Sequence, residues 1–317
     1  MINNILESKV FKTNGLILII NLIFVILSKR LNAINSEFGF VFYQLVFILT
    51  PGILYLRYSR YDIKEIVRES QINLEMILYS VTIVVLGYPL IAITSYILNK
   101  ESLVGSGITS DFFSKNAFIS LILLVLMYAV LPAICEEFAF RGVLNKIYSK
   151  YSFKTRVLII SLVFALMHYD TRNFIGPFLL SILLLYLYSR SGSLIPAIIG
   201  HFAYNLLGLI VIYILYYLNT GNFIFIPTLD LKILSVSIVL LSLILIYPIY
   251  KIIDIIESKY RLKEKLKESR SEVIGQISIL EYYGSKINYS GYKEIFTDTL
   301  NFSPIILLFL LYTIVAK

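Results

Sequence analysis

The sequence predicts an all-α polytopic membrane helix bundle, with about eight transmembrane helices and a ninth candidate at the C-terminus. Three observations carry that prediction. Of 317 residues, 58% are hydrophobic and 15% charged, and the mean hydropathy is +0.81. A soluble domain carries about 25% charged residues, so this chain has too few to cover a water-facing surface. The apolar stretches are continuous rather than alternating, unlike the strands of a membrane barrel. Helices are then the spanning element left. Finally, basic residues gather on alternate loops, as in a multi-pass chain of fixed orientation.

The predicted spans are Leu16–Leu27, Phe38–Leu56, Leu74–Leu98, Ala117–Cys135 with a helical continuation, Val157–Tyr169, Phe174–Tyr188, Leu194–Leu218 and Ile233–Ile249. The first is shorter than the roughly 20 residues that cross a bilayer comfortably, so an interfacial helix is its alternative. It is not read as a signal peptide, because Met1–Lys12 is polar and no small-residue cleavage site follows. The short fifth and sixth spans are expected inside the bundle rather than against lipid. From Lys251 to Arg270 the chain is charged with helical spacing. It reads as a solvated helix that ends the last main span, or as one resting on anionic lipid. Gly275–Ser303 is polar, and Pro304–Ala316 is the ninth candidate span. No internal repeat is visible.

Orientation follows from the basic residues. Lys9 and Lys12, Arg57 to Arg68, Lys146 to Arg156, Arg190 and the cluster Lys259 to Arg270 fall on one side. The opposite loops hold only Lys29, Arg30, Lys100, Lys115, Arg172 and Lys232. This places the N-terminus in the cytoplasm. The same asymmetry accounts for the net charge of +8 without invoking nucleic acid as a partner. The single cysteine, Cys135, excludes an intramolecular disulfide.

The only two histidines, His168 and His201, both lie in apolar segments. One such residue is ordinarily a hydrogen-bonded core group, but ionisable side chains at membrane depth are costly and tend to be functional. A third ionisable cluster, Glu136, Glu137 and Arg141, follows a long apolar run. Glu137 and Arg141 are four residues apart and share a helix face, so they can pair. Glu136 points about 100° away and lacks that partner. The bland alternative puts both carboxylates in the headgroup region.

Depth argues against it. Glu136 lies ten residues from Lys146, His168 twelve from Arg156 and His201 eleven from Arg190. At helical rise these are about 15, 18 and at most 16 Å from one membrane face. Gly192, Ser193 and Pro196 are expected to make the start of the last segment irregular. Asn205, four residues after His201, shares its face, and a buried amide needs a partner.

These groups suit peptide hydrolysis. Glu136 can act as general base toward water, since a carboxylate removed from water is a stronger base. His168 can orient that water and pass the proton to the leaving amine. His201 and Asn205 can donate to the developing oxyanion. Zinc held by Glu136, His168 and His201 is the weaker alternative, because no HExxH helix is present. A Cys135 nucleophile is weaker still, since an apolar flank keeps a thiol inert.

The segment Glu136-Glu137-Phe138-Ala139-Phe140-Arg141-Gly142 resembles the EExxxR motif, with its common trailing glycine, of the CPBP intramembrane proteases. That family includes the type II CAAX prenyl endopeptidases and the bacterial Abi proteins. Phe164 to His168 resembles its FxxxH motif, and His201 to Asn205 its HxxxN motif. The likeness covers about Asn116–Leu218. It implies a glutamate-dependent endopeptidase that needs no metal or other cofactor. Glu136 would be the base, His168 its water partner, and His201 with Asn205 the oxyanion site. Glu137, Arg141 and Phe164 would be supporting residues.

On this reading residues 1–115 are N-terminal transmembrane helices and 116–218 the catalytic core. Residues 219–317 are a C-terminal span, a charged juxtamembrane segment and an apolar tail. The expected partners are a membrane-associated peptide or protein substrate and the lipid bilayer. A composition rich in Ile, Lys, Asn and Tyr without Trp suits an AT-rich, Gram-positive genome and a multi-pass protein of the bacterial plasma membrane, where prenyl substrates are not expected. The rival function is a non-catalytic bacteriocin self-immunity or scaffold protein. A transporter with a Glu/His proton relay is a third reading, weakened by the lack of a repeat.

Overall fold

The computed structural model describes residues 9–34, 36–60, 62–63, 66, 74–98, 117–168, 174–220, 240, 244, 247–256, 258, 304–305 and 307. Among these residues every regular element is helical. In chain order they are α1 (Lys9–Ile34), α2 (36–59), α3 (Leu74–Leu98), α4 (117–147), α5 (Phe153–Leu166), α6 (Ile175–Ser191) and α7 (Leu194–Thr220). Most of the expected span Ile233–Ile249, the charged helix beyond residue 258, Gly275–Ser303 and most of Pro304–Ala316 lie outside the described residues, though residues 247–256 are helical.

Two long helices contain wider turns. α2 passes through a π-helical stretch at Tyr43–Leu49, and α4 through two, at Leu126–Val130 and Phe138–Leu144. The first two stretches each end just before a proline, Pro51 and Pro132. Proline has no N–H for the helical ladder, and its ring crowds the carbonyl four residues back. A π turn relieves that clash without breaking the helix. This is how α4 carries on unbroken through Pro132 to Glu136 and on to Ile147, as the apolar spacing beyond Glu136 predicts.

Helix ends follow local chemistry. The Ser152 side chain caps α5, accepting from the Thr155 N–H at 3.3 Å. α6 stops at Gly192, whose φ of 66° suits a residue without Cβ. Its N–H returns to the Tyr188 carbonyl at 3.0 Å. α7 then starts at Leu194, so Pro196 falls in its first turn, where a missing N–H matters little. The irregular start expected for this segment is thus confined to Gly192 and Ser193.

α4 is central. It packs on α2 on one side and α7 on the other, while α5 and α6 lie against each other and α3 packs on α6 and α7. One core cluster joins Phe138, Phe140, Val143 and Leu144 of α4 to Ile160, Val163 and Phe164 of α5 and Leu185 and Tyr188 of α6. A second joins Ile83 and Val84 of α3 to Leu180, Leu184 and Leu187 of α6 and Ala203 of α7.

The surface is inverted relative to a water-soluble protein. Ile26, Leu54, Leu126, Ile134 and Ile214 are exposed, whereas Asn14, Gln44, Glu136, Glu137, Arg141 and His201 are buried. That arrangement fits lipid outside and polar groups satisfied within. Among the described residues three helices are long and apolar enough to cross a membrane: Glu37–Ser59, Leu121–Ile147 and Leu194–Val211.

Gly142 marks a close approach. A Cβ there would lie 2.5 Å from Ile66 Cγ2. Gly142→Ala is expected to destabilise the bundle by about 1–3 kcal/mol through overpacking. A melting temperature in detergent equal to wild type would contradict this.

Candidate active site

The site is built where α4 meets α7, with contributions from α2 and α5. On α4, Arg141 Nη1 donates to Glu137 Oε1 at 2.8 Å, and both side chains are fully buried. Arg141 Nη2 donates to the Ser181 carbonyl of α6 at 3.1 Å. The guanidinium also lies 4.8 Å from the centre of the Phe164 ring, an arrangement in which a cation meets the ring's negative face. Glu137 is thus anchored by the partner that its four-residue spacing predicts.

Glu137 Oε1 has a second donor, His201 Nδ1 of α7, at 2.7 Å. A carboxylate only accepts, so Nδ1 carries a proton and the ring is held in a fixed orientation. This turns His201 Nε2 toward Glu136, whose Oε2 lies 3.8 Å away. That gap is too long for a hydrogen bond and is suited to a shared third group. Glu136 Oε2 is buried and has no hydrogen-bond partner among the described residues. Its other oxygen, Oε1, accepts from Gln44 Nε2 of α2 at 2.7 Å.

His168 sits two residues beyond the end of α5. The last turn tightens, with the His168 N–H returning to the Ala165 carbonyl at 3.2 Å. Its Nδ1 donates to the Phe164 carbonyl at 2.8 Å, which satisfies a helix-end acceptor. That leaves Nε2 as the ring nitrogen without a hydrogen bond among the described residues. The Phe164 ring stands beside both imidazoles, at 4.9 Å from His168 and 6.0 Å from His201 between ring centres. His168 makes no direct bond to Glu136 or His201 among the described residues, and it is exposed whereas they are buried. Asn205 lies one turn beyond His201 on α7 and is half-buried. The structure therefore brings Glu136, Glu137, Arg141 and His201 into one contact network and links His168 to it through Phe164.

That network lies on the part of the chain that the comparisons pick out. Residues 118–207 match a family model, Rce1-like, of the type II CAAX prenyl endopeptidases. The Rce1-like family is a protease family, and the match supports a peptidase. With the apolar helices, it makes the chain an integral membrane protein. No curated protein and no solved structure matches the chain. The Rce1-like segment holds Glu136, Glu137, Arg141, Phe164, His168, His201 and Asn205.

Sequence reasoning missed Gln44 and Tyr43, which lie before the Rce1-like segment. Tyr43 donates its hydroxyl to the Met167 carbonyl at 2.9 Å, bracing the chain next to His168. Gln44 had a signal: it is the one amide side chain in the run Phe38–Leu56. An apolar cavity of about 80 Å³ lies between α1, α2 and α4, lined by residues including Ile17, Phe47, Tyr55, Phe140 and Met167. It shares Phe140 and Met167 with the surroundings of the site. Among the described residues no three His, Cys, Asp or Glu side chains are placed to hold a metal ion.

Proposed function

We propose that the chain is an intramembrane, glutamate-dependent endopeptidase that hydrolyses a peptide bond in a membrane-associated peptide or protein. The observation that carries the reading is a buried carboxylate, Glu136, with one oxygen fixed by Gln44 and the other, without a hydrogen-bond partner among the described residues, 3.8 Å from an oriented imidazole. A scaffold has no use for so costly an arrangement.

In the proposed reaction Glu136 Oε2 takes a proton from water as its oxygen attacks the scissile carbonyl. The C–O bond forms and the carbonyl electron pair moves onto oxygen. Asn205 donates to that oxyanion, and so does His201 through Nε2 when its ring is doubly protonated, since Nδ1–H is committed to Glu137. Collapse breaks the C–N bond, and the proton returns to the leaving amine with His168 assisting through Nε2. Glu137 and Arg141 act on His201 rather than on the substrate.

The reaction is proposed to need no metal. A catalytic zinc takes three protein ligands, and among the described residues Glu136, His168 and His201 are not placed together as such a set. Chelators are therefore expected to leave cleavage of a membrane peptide unchanged. Loss of cleavage on chelation with recovery on added zinc would overturn this part.

The N-terminus is proposed to face the cytoplasm, with about eight spans in a bacterial plasma membrane and the chemistry confined to residues 116–218 apart from α2. The proposed substrate class is tested by expressing active and inactive forms side by side and following which membrane peptide is shortened.

A further inference from the structure

Two adjacent residues of α2, outside the Rce1-like segment, reach both halves of the site. Tyr43 holds the Met167 carbonyl at 2.9 Å, and Gln44 holds Glu136 Oε1 at 2.7 Å. Gln44 is buried, at 1% exposure, on a π-helical stretch of an otherwise apolar helix. A buried amide in such a place must find a partner. Of the acceptors within a helix bundle, this one takes a carboxylate 92 residues away rather than a carbonyl of its own helix.

We infer that Gln44 is a positioning residue that decides which oxygen of Glu136 reacts. The inference rests on the protease reading above. By occupying Oε1, Gln44 leaves Oε2 as the proton acceptor, on the side that faces His201 Nε2 at 3.8 Å. The amide suits this work because it donates without carrying a charge or competing for the proton. Its own Oε1 is buried with no hydrogen-bond partner among the described residues. When Glu136 Oε2 takes the proton, Glu136 Oε1 becomes the carbonyl oxygen of the acid and still accepts from Gln44 Nε2. Gln44 can thus hold Glu136 in place both before and after it takes the proton from water. Nothing in this role calls for contact with substrate, so a change at Gln44 acts on the chemical step and not on binding.

The test is Gln44→Met, which keeps the length of the side chain and removes its hydrogen bonds. On a cleaved membrane peptide, kcat is expected to fall roughly tenfold to a hundredfold, the effect of losing one hydrogen bond to a charged group. KM is expected to stay unchanged. Infrared spectra of protein carrying ¹³C-labelled glutamate give a second readout. The carboxylate band of Glu136, identified by its loss in Glu136→Gln, is expected to shift in Gln44→Met. A merely structural role would lower yield but leave that band in place. Wild-type kcat, or an unmoved band, overturns the inference. If Gln44→Met does not accumulate, Gln44→Asn, one methylene shorter and still polar, replaces it with the same two readouts. If wild type and Glu136→Gln are equally inactive on all membrane peptides, the protease reading fails. The band shift alone then decides whether Gln44 holds Glu136.

Discussion

Glu136→Gln is expected to remove at least 10²–10⁴-fold of the cleavage rate, about the contribution of a positioned general base, without loss of folded protein. The amide has the shape of the carboxylate and can still accept from Gln44, so the contact at 2.7 Å need not be lost. It also removes one of two buried negative charges that face a single guanidinium, leaving Glu137 and Arg141 as a balanced pair. The melting temperature in detergent is therefore expected to equal or exceed that of wild type. A stable protein without activity is the signature of a group placed for chemistry at the expense of stability. Full activity in this variant would refute Glu136 as the base.

Arg141→Ala is expected to do the reverse and act on folding first. Arg141 is fully buried, pairs with Glu137, bonds the Ser181 carbonyl and rests on the Phe164 ring. Removing it leaves two adjacent carboxylates inside the bundle with only the uncharged Gln44 amide and His201 beside them. Breaking one side of a buried ion pair costs about 3–5 kcal/mol, a large share of the roughly 5–15 kcal/mol that holds a protein folded. The yield of monodisperse protein after solubilisation is expected to collapse. Arg141→Lys is not expected to restore it, because one ammonium cannot reproduce the two-nitrogen contact to Glu137 and Ser181. Normal yield with lost cleavage would instead place Arg141 in the reaction.

What could be read from the sequence was set by what is local. Glu137 and Arg141 pair because four residues return to the same helix face, and that needs no tertiary information. Continuous apolar runs locate helices, and α3 is found over Leu74–Leu98, where the apolar run predicts it. The approach of His201 to Glu136 was legible as similar depth on separate spans, though not as a distance. The rest depended on packing. The bond from Gln44 to Glu136 joins residues far apart in sequence, and only the oddity of an amide in an apolar run hinted at it.

The π turns before Pro51 and Pro132 change no composition and no hydropathy. Their trace is the prolines, which composition alone reads as breaks. His168 was assigned to a span running to Tyr169, whereas α5 ends at Leu166 and the imidazole caps the Phe164 carbonyl. Whether a histidine sits in a helix or just past its end depends on how the last turn closes. Hydrophobicity does not report that.

The most direct measurement is a comparison of membrane proteomes from cells that carry the wild-type chain or Glu136→Gln at matched levels. The account predicts at least one membrane-associated peptide or protein that is shortened only with wild type, with a new terminus at one defined bond. Identical proteomes, with both forms conferring the same phenotype, would contradict catalysis and leave binding, as in an immunity or scaffold protein, as the function of this bundle.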